Sequence, residues 1–152
     1  MKQGGFTFIE LMVTLAILAL LATIAYPTLA LKLKRQKEQE LKNAIHRIQQ
    51  AIDLYRTTCK ANLIDADPQL QCNPPTLTSL TEGIAHKSEL NVKYYFISAI
   101  PTDPFTKTDT KDTNYGWNIK AFVKQADSSK GVIGVSSKSE AIGTNGIPYS
   151  QW

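Results

Sequence analysis

From Leu11 to Leu31 the chain runs for 21 residues without a charge, and no other feature restricts its fold as strongly. Wound into a helix rising about 1.5 Å per residue, this run reaches roughly 32 Å, the thickness of a bilayer's hydrocarbon core. Composition sharpens the contrast. Residues 6–31 hold 20 apolar side chains in 26 positions, whereas residues 32–152 hold 44 in 121. A membrane-length segment is therefore followed by a polar domain, and 152 residues leave room for one modest globular unit, which excludes a multidomain enzyme.

Charge divides as unevenly. Residues 32–60 carry eight Lys/Arg against three Asp/Glu, while residues 61–152 carry eight against nine, so the pI near 9.0 describes one segment. A basic surface spread over the whole domain, the footprint of many nucleic-acid binders, is not what this distribution gives. Four cations, Lys32, Lys34, Arg35 and Lys37, crowd the far end of the apolar run, where they form a solvated face suited to acidic lipid headgroups, with subunit pairing as the rival reading.

A cleaved secretory signal is the simplest alternative for the N-terminus, with Lys2 as its basic end and Thr28-Leu29-Ala30 as its cleavage site. Two features oppose it. The apolar run exceeds the roughly 7 to 15 residues of a signal core, and Glu10 stands inside its start. A central acidic residue costs on the order of 2.5 to 3.5 kcal/mol on insertion scales, so one retained here calls for a partner that neutralises it.

The residues Gly4-Gly5-Phe6-Thr7-Phe8-Ile9-Glu10-Leu11-Met12-Val13 resemble the prepilin N-terminus shared by type IV pilins and the pseudopilins of type II secretion. The resemblance implies cleavage by a prepilin peptidase between Gly5 and Phe6 and methylation of the new N-terminal amine. It also gives the family's glutamate a counterpart in Glu10 and its helix proline one in Pro27. Further along, the Ile100-Pro101-x-Asp103-Pro104 loop and a late Asn145-Gly146 turn with an aromatic end are similar to the type II secretion protein G group. The implied domains are a leader over 1–5, the membrane-spanning and assembly half of a long helix over 6–31, and a periplasmic head over 32–152. The implied role is non-enzymatic: a structural subunit of a helical filament anchored in the bacterial inner membrane, self-assembling with like subunits through a membrane platform and its ATPase. A type IV pilin or competence pilin for DNA uptake, adhesion or motility is the alternative, although nucleic acid is not an expected partner. The cations beyond the apolar run favour the opposite membrane topology by the positive-inside rule, and the leader motif overrides it.

The physics of the motif stands without the family. A free Phe6 ammonium and the Glu10 carboxylate are opposite charges in an apolar setting, where their attraction far exceeds its value in water. The resemblance implies that in an assembly the Glu10 of one subunit meets the Phe6 amine of a neighbour, where such a pair would act as a register mark.

Beyond the span, Leu41, Ala44, Ile45, Ile48, Ala51, Ile52 and Tyr55 fall at spacings of three and four, one apolar stripe on a helix reaching about Cys59. Pro27 deletes one backbone bond and is expected to bend or loosen that helix. Cys59 and Cys72 enclose twelve residues, and an even count in a head outside the cytoplasm reads as a disulfide, although pilins often place theirs nearer the C-terminus. Metal ligation is the rival, and neither His46 nor His86 has ligand spacing to a cysteine.

The stretch Thr76–Gly83 reads as a short helix ended by its glycine, and Val92–Ile100 as an apolar run of strand length. Tyr115, Trp117, Ile119, Ala121 and Val123 alternate with Gly116, Asn118, Lys120, Phe122 and Lys124 as a half-buried strand. A turn over Asp127–Gly131 and a second strand over Val132–Val135 follow. The fold class is α+β, type IV pilin-like: a long N-terminal helix, its first half transmembrane, with a small antiparallel sheet packed on its second half.

No cofactor is expected. The family implies calcium held by acids of the last loop, where this chain offers only Glu140 and neutral Asn145. Asp103, Asp109 and Asp112 have oxygen ligands to give but read as solvated loop acids. No phosphate loop, His-Glu-x-x-His helix, Gly-x-Ser-x-Gly elbow or Cys-x-x-Cys pair occurs, which leaves no catalytic residues to assign. His46 and His86 read as surface histidines, and Trp117 and Trp152 as packing residues.

Overall fold

The computed structural model describes residues 5, 7–89, 91–106, 112–123 and 130–152, without the side chains of 24–27, 123 and 130. Helix α1 (Phe8–Lys60) accounts for 53 of them. The chain divides into two units, Met1–Gln36 and Lys37–Trp152, with the boundary inside α1.

In the first unit α1 opens on a cap. Thr7 stands just before the helix, and its Oγ1 accepts from the Glu10 amide at 3.3 Å while its carbonyl accepts from the Glu10 and Leu11 amides. The Thr7-Phe8-Ile9-Glu10 spacing is that of a capping box, and it places Glu10 in the first turn, where the helix dipole favours a carboxylate. The helix is long and apolar enough to cross a membrane, and its assignment is continuous across Pro27. Every described side chain from Phe8 to Leu33 is exposed, a cost in water of about 1.5 to 3 kcal/mol for each large apolar side chain, which a bilayer removes.

In the second unit the stripe is buried as its period requires. Leu41, Ile48 and Ile52 are fully buried, Ala44, Ala51 and Tyr55 nearly so, and Ile45 is half-buried. The stripe shares one core with Leu77, Leu80, Trp117, Val132, Val135 and Tyr149. Five short elements and one hairpin cover it: a 3-10 turn (Pro68–Leu70), α2 (Ser79–Glu82) closed by Gly83, β1 (Ile84–Ala85) paired antiparallel with β2 (Lys93–Tyr94), β3 (Trp117–Val123) paired antiparallel with β4 (Lys130–Ser137), and a last 3-10 turn (Tyr149–Gln151).

Three sequence expectations change. The sheet is two separate two-stranded pieces. Only Lys93 and Tyr94 of the run Val92–Ile100 form a strand, because the amides of Phe96 and Ile97 turn away to donate to the Leu80 carbonyl at 3.1 and 3.3 Å. Second, the alternation in β3 does not persist. Lys120 pairs with Gly134 and Ala121 with Val132, leaving Ile133 as an extra residue. The bulge sharpens the local twist, and beyond it Ala121 is exposed and Phe122 half-buried, the reverse of the sequence pattern. Third, the turn assigned to Asp127–Gly131 is shorter, since Lys130 and Gly131 already belong to β4, while its residues 127–129 lie outside the described residues.

Candidate functional site

Two places in the molecule carry features that packing alone does not explain: the start of α1 and the C-terminal segment seated on α1 in the second unit. At the first, Gly5 is exposed and precedes the helix, so the backbone on the N-terminal side of the expected cleavage point is open. Phe6 lies outside the described residues, as does the side chain of Pro27. Glu10 is exposed on an otherwise uncharged run that extends to Leu31, and it is the sole acid between residues 6 and 31. An exposed carboxylate beside bare apolar surface is a group awaiting a partner once that surface leaves water.

At the second place the organising residue is Glu38, which is 5% exposed. Its Oε1 accepts from the Thr144 amide at 2.8 Å and from the Tyr149 hydroxyl at 2.9 Å, and its Oε2 accepts from the Thr144 Oγ1. These donors lie more than 100 residues downstream, so one carboxylate fixes the whole 143–149 segment against α1. Tyr149 is buried, stacked on Phe105 at 4.1 Å between ring centres and edge-on to Trp152 at 5.1 Å. Burial, followed by the hydrogen bond to Glu38 and its charge, pushes the Tyr149 phenol up to about 12. Gly143 is required by close approach: a Cβ there would lie 2.6 Å from Cζ2 of Trp152. Lys42 places its Nζ 4.6 Å from the centre of the Trp152 ring. Beside this ring a groove of about 480 Å³ opens between Lys42, Ile45 and His46 of α1 and Ile147, Gln151 and Trp152 of the tail.

Sequence reasoning missed Glu38, although a signal was present. Glu38 lies three residues before Leu41 and seven before Ile45, on the apolar stripe itself, where a carboxylate needs donors from another part of the chain.

The remaining candidates fall into place. Cys59 and Cys72 form a disulfide with a Cα–Cα distance of 5.6 Å, tying the last turn of α1 to the loop after it. That loop is keyed to β4: Pro74 O accepts from the Val132 amide at 2.8 Å, and a Cβ on Gly131 would come within 2.6 Å of the Asn73 Cβ. His46 is exposed, 3.0 Å from the amide nitrogen of Gln50. His86 is half-buried instead of fully solvated, its Nδ1 accepting from the amides of Ser88 and Glu89. Trp117 is a core residue that donates its ring N–H to Pro101 O at 2.7 Å.

Asp103 corrects its reading as a solvated acid. It is 3% exposed and accepts from the Phe105 amide, Thr106 Oγ1 and Ser137 Oγ, which fastens the Pro101–Pro104 loop to the end of β4. Asp112 organises its own turn. The ammonium of Lys138, donating at 2.8 Å, holds its carboxyl below the usual range with help from the Asn114 and Gly116 amides, against a smaller opposing effect of burial. Asp109 lies outside the described residues. Glu140 accepts from Ser150 and Asn145 from the Ile147 amide. Among the described residues no group of three His, Cys, Asp or Glu side chains is placed to hold a metal ion.

Residues 1–26 match the family model of the prokaryotic N-terminal methylation motif. The match covers Gly5, Phe6 and Glu10, stops one residue before Pro27, and supports a type IV pilin-like chain with a prepilin-type N-terminus. No curated protein and no solved structure matches the chain.

Proposed function

We propose that this chain is the precursor of a structural subunit of a membrane-anchored filament, and within the type IV pilin-like group a type II secretion pseudopilin. The observation that carries the reading is the methylation motif over residues 1–26, which runs into the start of a helix whose described apolar side chains are bare from Phe8 to Leu33. A peptidase cuts between Gly5 and Phe6, and the Phe6 amine is methylated. The apolar half of α1 then holds the subunit in the inner membrane, with the N-terminus cytoplasmic and the head on the far side, until an ATP-driven platform draws it into a fibre. There the Glu10 carboxylate of one subunit meets the Phe6 ammonium of the next, each removing the cost of burying the other.

Processing is the test. Mass spectrometry of protein extracted from membranes is expected to give a chain starting at N-methylated Phe6. An intact Met1, or a start near Leu31, would overturn the prepilin reading. Deleting the gene then separates the finer readings: lost protein secretion supports the pseudopilin, whereas lost surface fibres or DNA uptake with secretion intact supports a pilin.

A further inference from the structure

The groove beside Trp152 has a composition that points to its occupant. Its apolar walls come from Ile45, Ile147 and the Trp152 ring; its charged and titratable members are Lys42 and His46; and among the described residues none of those lining it is acidic. Ile147 is 44% exposed although it lines a concave surface, so apolar area there is left uncovered by the described residues.

The complementary surface lies elsewhere on the same unit. From Ala61 to His86 the chain carries Asp65, Asp67 and Glu82 and no Lys or Arg. Asp65 and Asp67 are exposed and in no ion pair among the described residues, and Leu63 next to them is 37% exposed. One Asp67 oxygen accepts from the Gln69 amide, and the other accepts no hydrogen bond among the described residues. The groove and this segment cannot meet within one chain. They lie toward opposite ends of the head part of α1, and the 18 residues from Lys42 to Lys60 span about 27 Å of helix.

We infer that the groove at Lys42, His46, Ile147 and Trp152 receives the acidic segment 63–67 of a second copy of this chain. Asp65 and Asp67 lie against the Lys42 and His46 rim, and Leu63 covers Ile147. The two copies contribute different surfaces, so the contact is head to tail, and a heterologous contact that does not close repeats into an open helical array. This inference rests on the filament reading and supplies it with a contact between heads that is separate from the Phe6–Glu10 pairing.

The test uses two full-length chains in the same membrane, one Ile147→Cys and the other an epitope-tagged Leu63→Cys, treated with a short bis-maleimide. The native cysteines are joined to each other and do not react. A mixed dimer is expected when both chains are present, and no dimer when either is alone. Adding Asp65→Lys to the second chain is expected to lower the mixed dimer about threefold, the size of an exposed ion pair, and Lys42→Glu in the first chain to restore it. Dimers of either variant alone, a missing mixed dimer while multimers still form, failure of the charge exchange to restore the yield, or capture of a different protein in place of the second copy would each overturn the contact and leave the filament reading standing. Absence of any multimer from the wild-type chain would bring down both.

Discussion

Glu38 shows how a single residue decides where a segment without regular structure comes to rest. A carboxylate 5% exposed is tolerated because three donors converge on it from Thr144 and Tyr149. Removing it strands those donors: Glu38→Leu is expected to cost about 1.5 to 3 kcal/mol, the range for hydrogen bonds to a charged group. Urea unfolding of the detergent-solubilised chain, followed by tryptophan fluorescence, reads that loss. The same cluster sets an alkaline limit. The unfolded phenol of Tyr149 titrates near 10 and the folded one at about 12, so its contribution is fully present below pH 10 and is lost as pH rises through about 12. The loss amounts to on the order of 2 to 3 kcal/mol. Tyr149→Phe is expected to flatten the stability curve over that window without abolishing its fall, because burial, with the nearby Asp67 charge, also raises the Tyr55 phenol. Equal slopes for the two proteins between pH 10 and 12 would refute the assignment.

At the scale of elements, what the sequence made legible was what obeys a period. Leu41, Ala44, Ile48, Ala51, Ile52 and Tyr55 repeat at three and four because one face of the helix meets the core, and all six are buried. Gly83, read as the end of the short helix, closes α2 at φ 78°. What escaped depends on partners remote in sequence. The bulge at Ile133 is fixed by how β3 and β4 align, and it exchanges the exposures of Ala121 and Phe122 that alternation assigned. Ala121→Lys is therefore expected to change stability by less than about 0.5 kcal/mol, as a surface substitution does, where strict alternation would have made it a core disruption. The disulfide was readable from cysteine number and spacing; its keying to β4 through Asn73, Pro74 and Gly131 was not. Cys59→Ser with Cys72→Ser is expected to cost about 3 kcal/mol from loop entropy, and the Gly131–Val132 end of β4 should lose hydrogen-exchange protection first. Uniform loss of protection over the head would contradict that coupling.

For the molecule as a whole, the two units put different demands on Glu10, and a single substitution separates them. Glu10→Leu removes the lone charge of residues 6–31. The cap at the start of α1 survives it, because Thr7 bonds to the Glu10 backbone amide and not to its carboxylate. Insertion into the bilayer becomes easier by up to about 2.5 to 3.5 kcal/mol, less if the site sits near the interface, so the variant is expected to accumulate in the membrane at wild-type level or above. The head, whose core is drawn from Leu41 onward, folds unchanged. If the carboxylate of one subunit answers the Phe6 ammonium of its neighbour, each contact in the variant leaves an ammonium unpaired in apolar surroundings, a loss of about 3 to 5 kcal/mol. A fibre repeats that loss at every subunit, so multimers are expected to fall below detection while membrane content and the fold of the head stay normal. Comparing wild type and variant for leader cleavage, membrane content and sheared fibres separates the outcomes. Normal fibres from Glu10→Leu would reduce Glu10 to an interfacial first-turn carboxylate worth about 0.3 to 1 kcal/mol to its own helix.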